Sequence, residues 1–147
     1  MTRIRRFMLA SGAEQGLFLS SVIVMGVARI ALLVFPLRRV VATLNALNRR
    51  WHRATGSSMG VRRAALRIAQ AASWCPIPTT CLSRTIAAYF LMSRLGFSST
   101  PRIGVTTAGG SFGAHAWLEC EDEIVIGDKS PDGNLYHPVP SLERFFS

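Results

Sequence analysis

At Pro101 the spacing of the apolar residues changes. Before it they recur every three or four positions. After it, "RIGVTT" (102–107), "AHAWLEC" (114–120) and "EIVIGD" (123–128) read as short β-branched and aromatic strands between Gly-rich or charged turns. Helices first and strands second is the order of an α+β fold. A chain of 147 residues with 49% hydrophobic content has room for one ordinary core, or a small core with a helical appendage, and is not disordered.

Four helices are expected before Pro101. The first spans about Ala13 to Phe35 and is stopped by Pro36. The second places Leu37, Val40, Val41, Leu44, Leu47 and Trp51 on one face, and Arg38, Arg39, Asn45, Arg49 and Arg53 on the other. "ATGSSMG" (54–60) has linker composition and suggests a division into a basic helical segment, 1–56, and a second unit, 57–147. The third helix runs from Val61 to about Ser73, with Arg62, Arg63 and Arg67 expected outward. "WCPIPTT" (74–80) breaks the helical pattern, because two prolines so close cannot continue it. A fourth helix restarts at Cys81 and ends at Leu95–Gly96, with Thr79 or Thr80 as its N-cap and Leu82, Ile86, Tyr89 and Phe90 on a common face.

Charge is distributed unevenly. Twelve of the seventeen basic residues lie at or before Arg67, where the only acid is Glu14, whereas five of the eight acids fall between Glu119 and Asp128. No helix-turn-helix, zinc or aromatic RNA motif accompanies the arginines, so nucleic-acid binding is not expected. They suit a solvated helix face, a docking surface for an acidic partner, or peripheral contact with an anionic membrane. The apolar run 17–35 is long enough to span a bilayer, but Arg29 lies within it at a cost of about 2.5–3.5 kcal/mol. A buried or surface-lying helix in a cytoplasmic protein is the expectation.

Three cysteines, 75, 81 and 120, make no disulfide framework, and no Cys-x-x-Cys or His-x-x-x-His pair offers a zinc site, so neither metal nor cofactor is expected. Cys81 differs from the others in standing in the first turn of a helix, where unpaired N–H groups and the dipole favour a thiolate. A thiolate nucleophile needs a base and a group to orient that base. His115 is the candidate base. If 114–120 and 123–128 form a hairpin with Glu121 and Asp122 at the turn, Cys120 pairs with Glu123, Glu119 with Ile124, Trp117 with Ile126, and His115 with Asp128. A slip of one residue would undo the last pairing. Glu121, Asp122 and Glu123 are expected to be solvated, Glu119 to be solvated or ion-paired, Trp117 and Cys120 to pack in the core, Cys75 to be structural, and His52 and His137 to lie on the surface.

With these residues in view, "CLSRTIAAYFLMSRLGF" (81–97), "RIGVTT" and "AHAWLEC" followed by a strand ending in Asp resemble the transglutaminase-like cysteine peptidases of lasso-peptide biosynthesis. "ARIALLVFPLRRV" (28–40) is similar, more loosely, to their helical N-terminal segment. The resemblance implies a transglutaminase-like, papain-like peptidase core with Cys81 as nucleophile, His115 as base and Asp128 as orienting carboxylate. It implies cleavage of the leader from a ribosomal precursor peptide, before an ATP-dependent cyclase closes the ring. Residues 1–60 lack the strands of the winged-helix-like leader-binding domain, so the resemblance points to the stand-alone peptidase half of a split system with a separate leader-binding protein. Acyl transfer or deamidation through the same thioester, and a non-catalytic membrane- or partner-binding module, remain alternatives.

Overall fold

The computed structural model describes residues 11–50, 59–128, 135–140 and 144–146. Helix α1 is Gly12–Val34, α2 Leu37–Arg50, α3 Val61–Ala72 and α4 Cys81–Arg94; strands β1 Thr100–Thr106, β2 Gly113–Cys120, β3 Glu123–Ile126 and β4 His137–Pro138 follow. The strands form one antiparallel sheet in the order β3-β2-β1-β4. All four helices fall within two residues of expectation at their starts, whereas the short edge strand β4 is an addition. Trp51, His52 and the expected boundary at 56 lie outside the described residues.

The ends of the helices have local causes. Ser11 caps α1: its hydroxyl accepts from Glu14 N–H at 3.4 Å while the Glu14 carboxylate accepts from Ser11 N–H at 3.3 Å. At the other end Phe35 is extended (φ −119°, ψ 149°), as a residue before proline must be. Helix α4 closes with Gly96 at φ +87°, Phe97 N–H donating to Met92 O and Gly96 N–H to Ser93 O, the paired bonds of a Schellman end.

Helices and sheet share a core. Leu17 and Met25 of α1, Ala64, Ala65 and Ile68 of α3, Ala87, Ala88, Leu91 and Met92 of α4, and Leu118, Cys120 and Ile126 of the sheet form one apolar cluster. The alanines of α3 allow close helix approach. A second cluster of Ala28, Val40 and Ile86 joins α1 and α2 to α4. The two sides of the linker therefore pack together.

Arg63 is exposed as expected, but Glu14 corrects the expectation that Arg67 faces solvent. Its carboxylate is 2% exposed and is bonded by Arg63 and, at 3.2 Å, by Arg67, whose side chain is only 19% exposed. Burial pushes this carboxyl up, but the guanidinium groups of Arg67 and Arg63, with the Ser11 N–H, outweigh it and hold the group below the ordinary 4.5. Arg62 does face outward, and its exposed pair with Glu123 contributes little.

The β2–β3 hairpin turns tightly at Glu121 and Asp122, both left-handed at φ 52° and 63°. This is the signature of a type I′ turn without the usual Asn-Gly. Replacing Glu121→Asn and Asp122→Gly together is predicted to raise stability by about 1 kcal/mol, read from the urea midpoint; an unchanged or lower midpoint would contradict this. A depressed carboxyl contributes its stability in full above the ordinary value and loses it as pH falls through the lower folded value. Glu14→Gln is therefore predicted to lower Tm at neutral pH and to flatten the decline of Tm below pH 4.5. Tm curves that stay parallel in wild type and variant would remove Glu14 from that role.

Candidate functional site

Cys81 is the first residue of α4 because the chain can become helical only there. Pro76 and Pro78 interrupt the approach, and Thr80, extended at φ −100° and ψ 164°, accepts from Ser83 N–H at 3.2 Å while Ser83 Oγ accepts from Thr80 N–H at 2.9 Å. This capping box decides between the two expected N-caps in favour of Thr80. Cys81 is half-buried, and its own N–H is among those a helix start leaves unpaired within the helix.

The other two thiols are committed to packing. Cys75 directs its sulfur to the carbonyl of Val22 on α1 at 3.8 Å. Cys120 is buried, bonds Ser98 O at 3.0 Å, and has its thiol pushed up by burial and by Glu121, which disfavours the thiolate.

His115 lies two residues into β2, half-buried, on the strand face that also carries Trp117 and Glu119. The opposite face sends Leu118 and Cys120 into the core with α4. The His115 and Trp117 rings are nearly parallel, 22° apart with centroids at 6.3 Å, and Tyr136 tilts against the imidazole at 5.6 Å. Trp117 is fully buried and Tyr136 nearly so, and Nε2 of His115 is cut off from solvent. Behind the indole, Trp117 Nε1–H donates to Glu119 at 2.9 Å, and Arg102 Nε–H donates to the other Glu119 oxygen at 3.0 Å. An Arg102–Glu119–Trp117–His115 chain thus runs along one face of the sheet.

Glu119 accordingly is ion-paired and hydrogen-bonded rather than solvated. Trp117 is buried as expected, yet it belongs to neither apolar cluster and packs against the imidazole instead. Sequence reasoning missed Tyr136 and the reason for Gly104. Gly104 stands opposite His115 on β1, and a Cβ there would come within 2.7 Å of two carbons of the Trp117 ring. A glycine inside an otherwise β-branched strand was the available signal, since it marks a close approach.

The expected pairing of His115 with Asp128 is not how the hairpin is built. Cys120 does pair with Glu123 and Glu119 with Ile124, but Leu118, not Trp117, pairs with Ile126. Val125 is the extra residue of a β-bulge, which lets both Val125 and Ile126 pack on the helical core. Continued past Ile126, the shifted register would set Asp128 beside Ala116. Gly127, at φ +84°, then redirects the chain, and a Cβ on it would lie 3.0 Å from Trp117 Cβ and 3.2 Å from Ala116 O. The exposed Asp128 is aimed by this glycine turn and not by strand pairing.

Topology relates Cys81 to His115. Helix α4, about 21 Å long, is followed by a reversal at Gly96–Ser99, and β1 returns over about 23 Å. Its last residue, Thr106, pairs with Gly113, where β2 begins. The start of β2, with His115, is therefore at the end of the layer where α4 starts. His137 is exposed on β4, as expected of a surface residue. No group of three or more His, Cys, Asp or Glu suited to a metal occurs among the described residues.

A family model described as the transglutaminase-like superfamily matches residues 22–140. The chain belongs to that superfamily. The match begins within α1 and takes in α2, α3, α4, the whole sheet and all three candidate residues, so the basic helix and the second half of the apolar one lie within the transglutaminase-like region. No curated protein and no solved structure matches the chain. For this transglutaminase-like protein, Gly104→Ala is predicted to cost about 1–3 kcal/mol by crowding the indole, measured by urea unfolding; unchanged stability would mean that the ring has room to move.

Proposed function

We propose that this protein is a cysteine endopeptidase that removes the leader from a ribosomally made lasso-peptide precursor, using Cys81, His115 and Asp128. The observation that carries the reading is the contrast among the thiols. Cys81 alone begins a helix, while Cys75 and Cys120 spend their sulfurs on backbone carbonyls. Membership of the transglutaminase-like superfamily supports thiol chemistry, and the sequence around 81–97 and 114–128 supports the narrower assignment.

In this mechanism His115 takes the Cys81 proton and the thiolate attacks the carbonyl at the leader–core junction. Trp117 and Tyr136 hold the imidazole plane, and Asp128, delivered by the Gly127 turn, orients it. The Cys81 N–H donates to the developing oxyanion. Protonated His115 then gives its proton to the departing core amine, and water, deprotonated by the same imidazole, hydrolyses the leader thioester. A separate leader-binding protein presents the precursor, and an ATP-dependent cyclase consumes the freed amine. Transfer of the thioester to an amine instead of water is the second reading, which the breadth of the superfamily admits.

The test incubates the protein and a leader-binding partner with a precursor and reads product masses. Free leader and free core are expected from wild type, with loss of about a hundredfold or more in rate for Cys81→Ala and His115→Ala. Asp128→Asn is expected to retain the fold and lose activity, and Cys75→Ala to retain activity. A leader mass increased by an amine would select acyl transfer. Cleavage that survives Cys81→Ala would refute the assignment.

A further inference from the structure

Helix α1 is apolar on two sides, and only one of them enters the core. Leu17, Met25 and Ala28 pack inward, whereas Leu19, Ile23, Val27, Ile30 and Val34, spaced four, four, three and four apart, form an outward stripe in which each residue is more than half exposed. The other exposed residues of α1, Gly12, Ala13, Gly16, Ser20 and Leu33, carry no charge. The stripe continues into a groove of about 560 Å³ between α1 and α2, lined by Ile23, Val27, Phe35, Val40, Leu44 and Arg39. On α2, Arg39 lines the groove, and Arg38, Arg49 and Arg50 are exposed on the same helix. The sequence has no acid between Glu14 and Glu119, and Glu14 is buried against Arg63 and Arg67. An uncharged face of about 34 Å is thus bordered by guanidinium groups, with no exposed carboxylate on the four helices.

We propose that this face rests on an anionic lipid surface, with α1 lying in the membrane plane, its outward stripe among the acyl chains and the α2 arginines on headgroup phosphates. Charge complementarity selects an anionic occupant. The chemistry of the stripe favours lipid over protein: between Leu19 and Val34 its outward positions are aliphatic apart from Ser20, and with Phe35 at its end it offers a single aromatic side chain and few of the hydrogen-bonding groups typical of protein contacts. Helix α1, at 23 residues, is long and apolar enough to cross a bilayer. Crossing would strip Leu17, Met25 and Ala28 from both core clusters and separate Glu14 from Arg63 and Arg67. Lying flat keeps all of these contacts.

The test is co-flotation of the full chain with vesicles of phosphatidylcholine alone or mixed with phosphatidylglycerol, at low and high salt, alongside sedimentation analysis without lipid. Binding to the anionic vesicles, weakened about tenfold or more on neutral vesicles or for Arg38→Gln/Arg39→Gln, is expected. Ile23→Ser/Val27→Ser is expected to abolish flotation with an unchanged circular dichroism spectrum, since both side chains are solvent-facing. Alkaline carbonate is expected to release the bound protein. Retention after carbonate would overturn the in-plane arrangement. Absence of flotation would overturn the proposal, and so would a dimer dispersed by Ile23→Ser/Val27→Ser, which would assign the stripe to a second copy of the chain.

Discussion

Burial of α4 is the constraint on which the other elements depend. Ile86, Ala87, Ala88, Phe90, Leu91 and Met92 occupy consecutive turns and are all buried, because α1, α2, α3 and the sheet each pack against a different side of this helix. A helix enclosed in this way cannot slide or rotate without opening both apolar clusters. Its first residue is fixed with it, and that residue is Cys81. The same core holds β2, the strand that carries His115, against this helix.

Much of this was legible in the sequence because it depends on local rules. Prolines 36, 76 and 78 and the Thr80 cap set helix limits that composition alone displays, and the change of period at Pro101 announces the sheet. What could not be read depends on contacts between distant residues. The hairpin register changes at Val125 because two neighbouring side chains, Val125 and Ile126, are both drawn to helices far away in the chain. Tyr136 reaches His115 from an edge segment with almost no strand of its own. The partial burial of Arg67 depends on Glu14, 53 residues earlier, being enclosed by helix packing.

The acids divide by task once their partners are known. Glu14 ties α1 to α3, Glu119 links Arg102 to the indole behind His115, Glu123 meets Arg62 on the surface, and Glu121 and Asp122 make the turn. Asp128 is set apart from these by Gly127, whose left-handed backbone departs from the strand immediately before it. Glu121, Asp122 and Glu123 are the exposed tip that the sequence suggests, and Glu119 is the member of the cluster drawn into a partly buried pair. The helical half, with its one acid buried, keeps an outer face of aliphatic groups and arginines.

The central claim is that the thiol at the start of α4 is activated by the imidazole of β2. Its most direct measurement is the order in which the three cysteines of the full-length protein react with iodoacetamide at neutral pH, followed by peptide mass. The account predicts that Cys81 is alkylated first and that His115→Ala removes its lead over Cys75. Alkylation of Cys75 or Cys120 ahead of Cys81, or a Cys81 rate indifferent to His115, would contradict it.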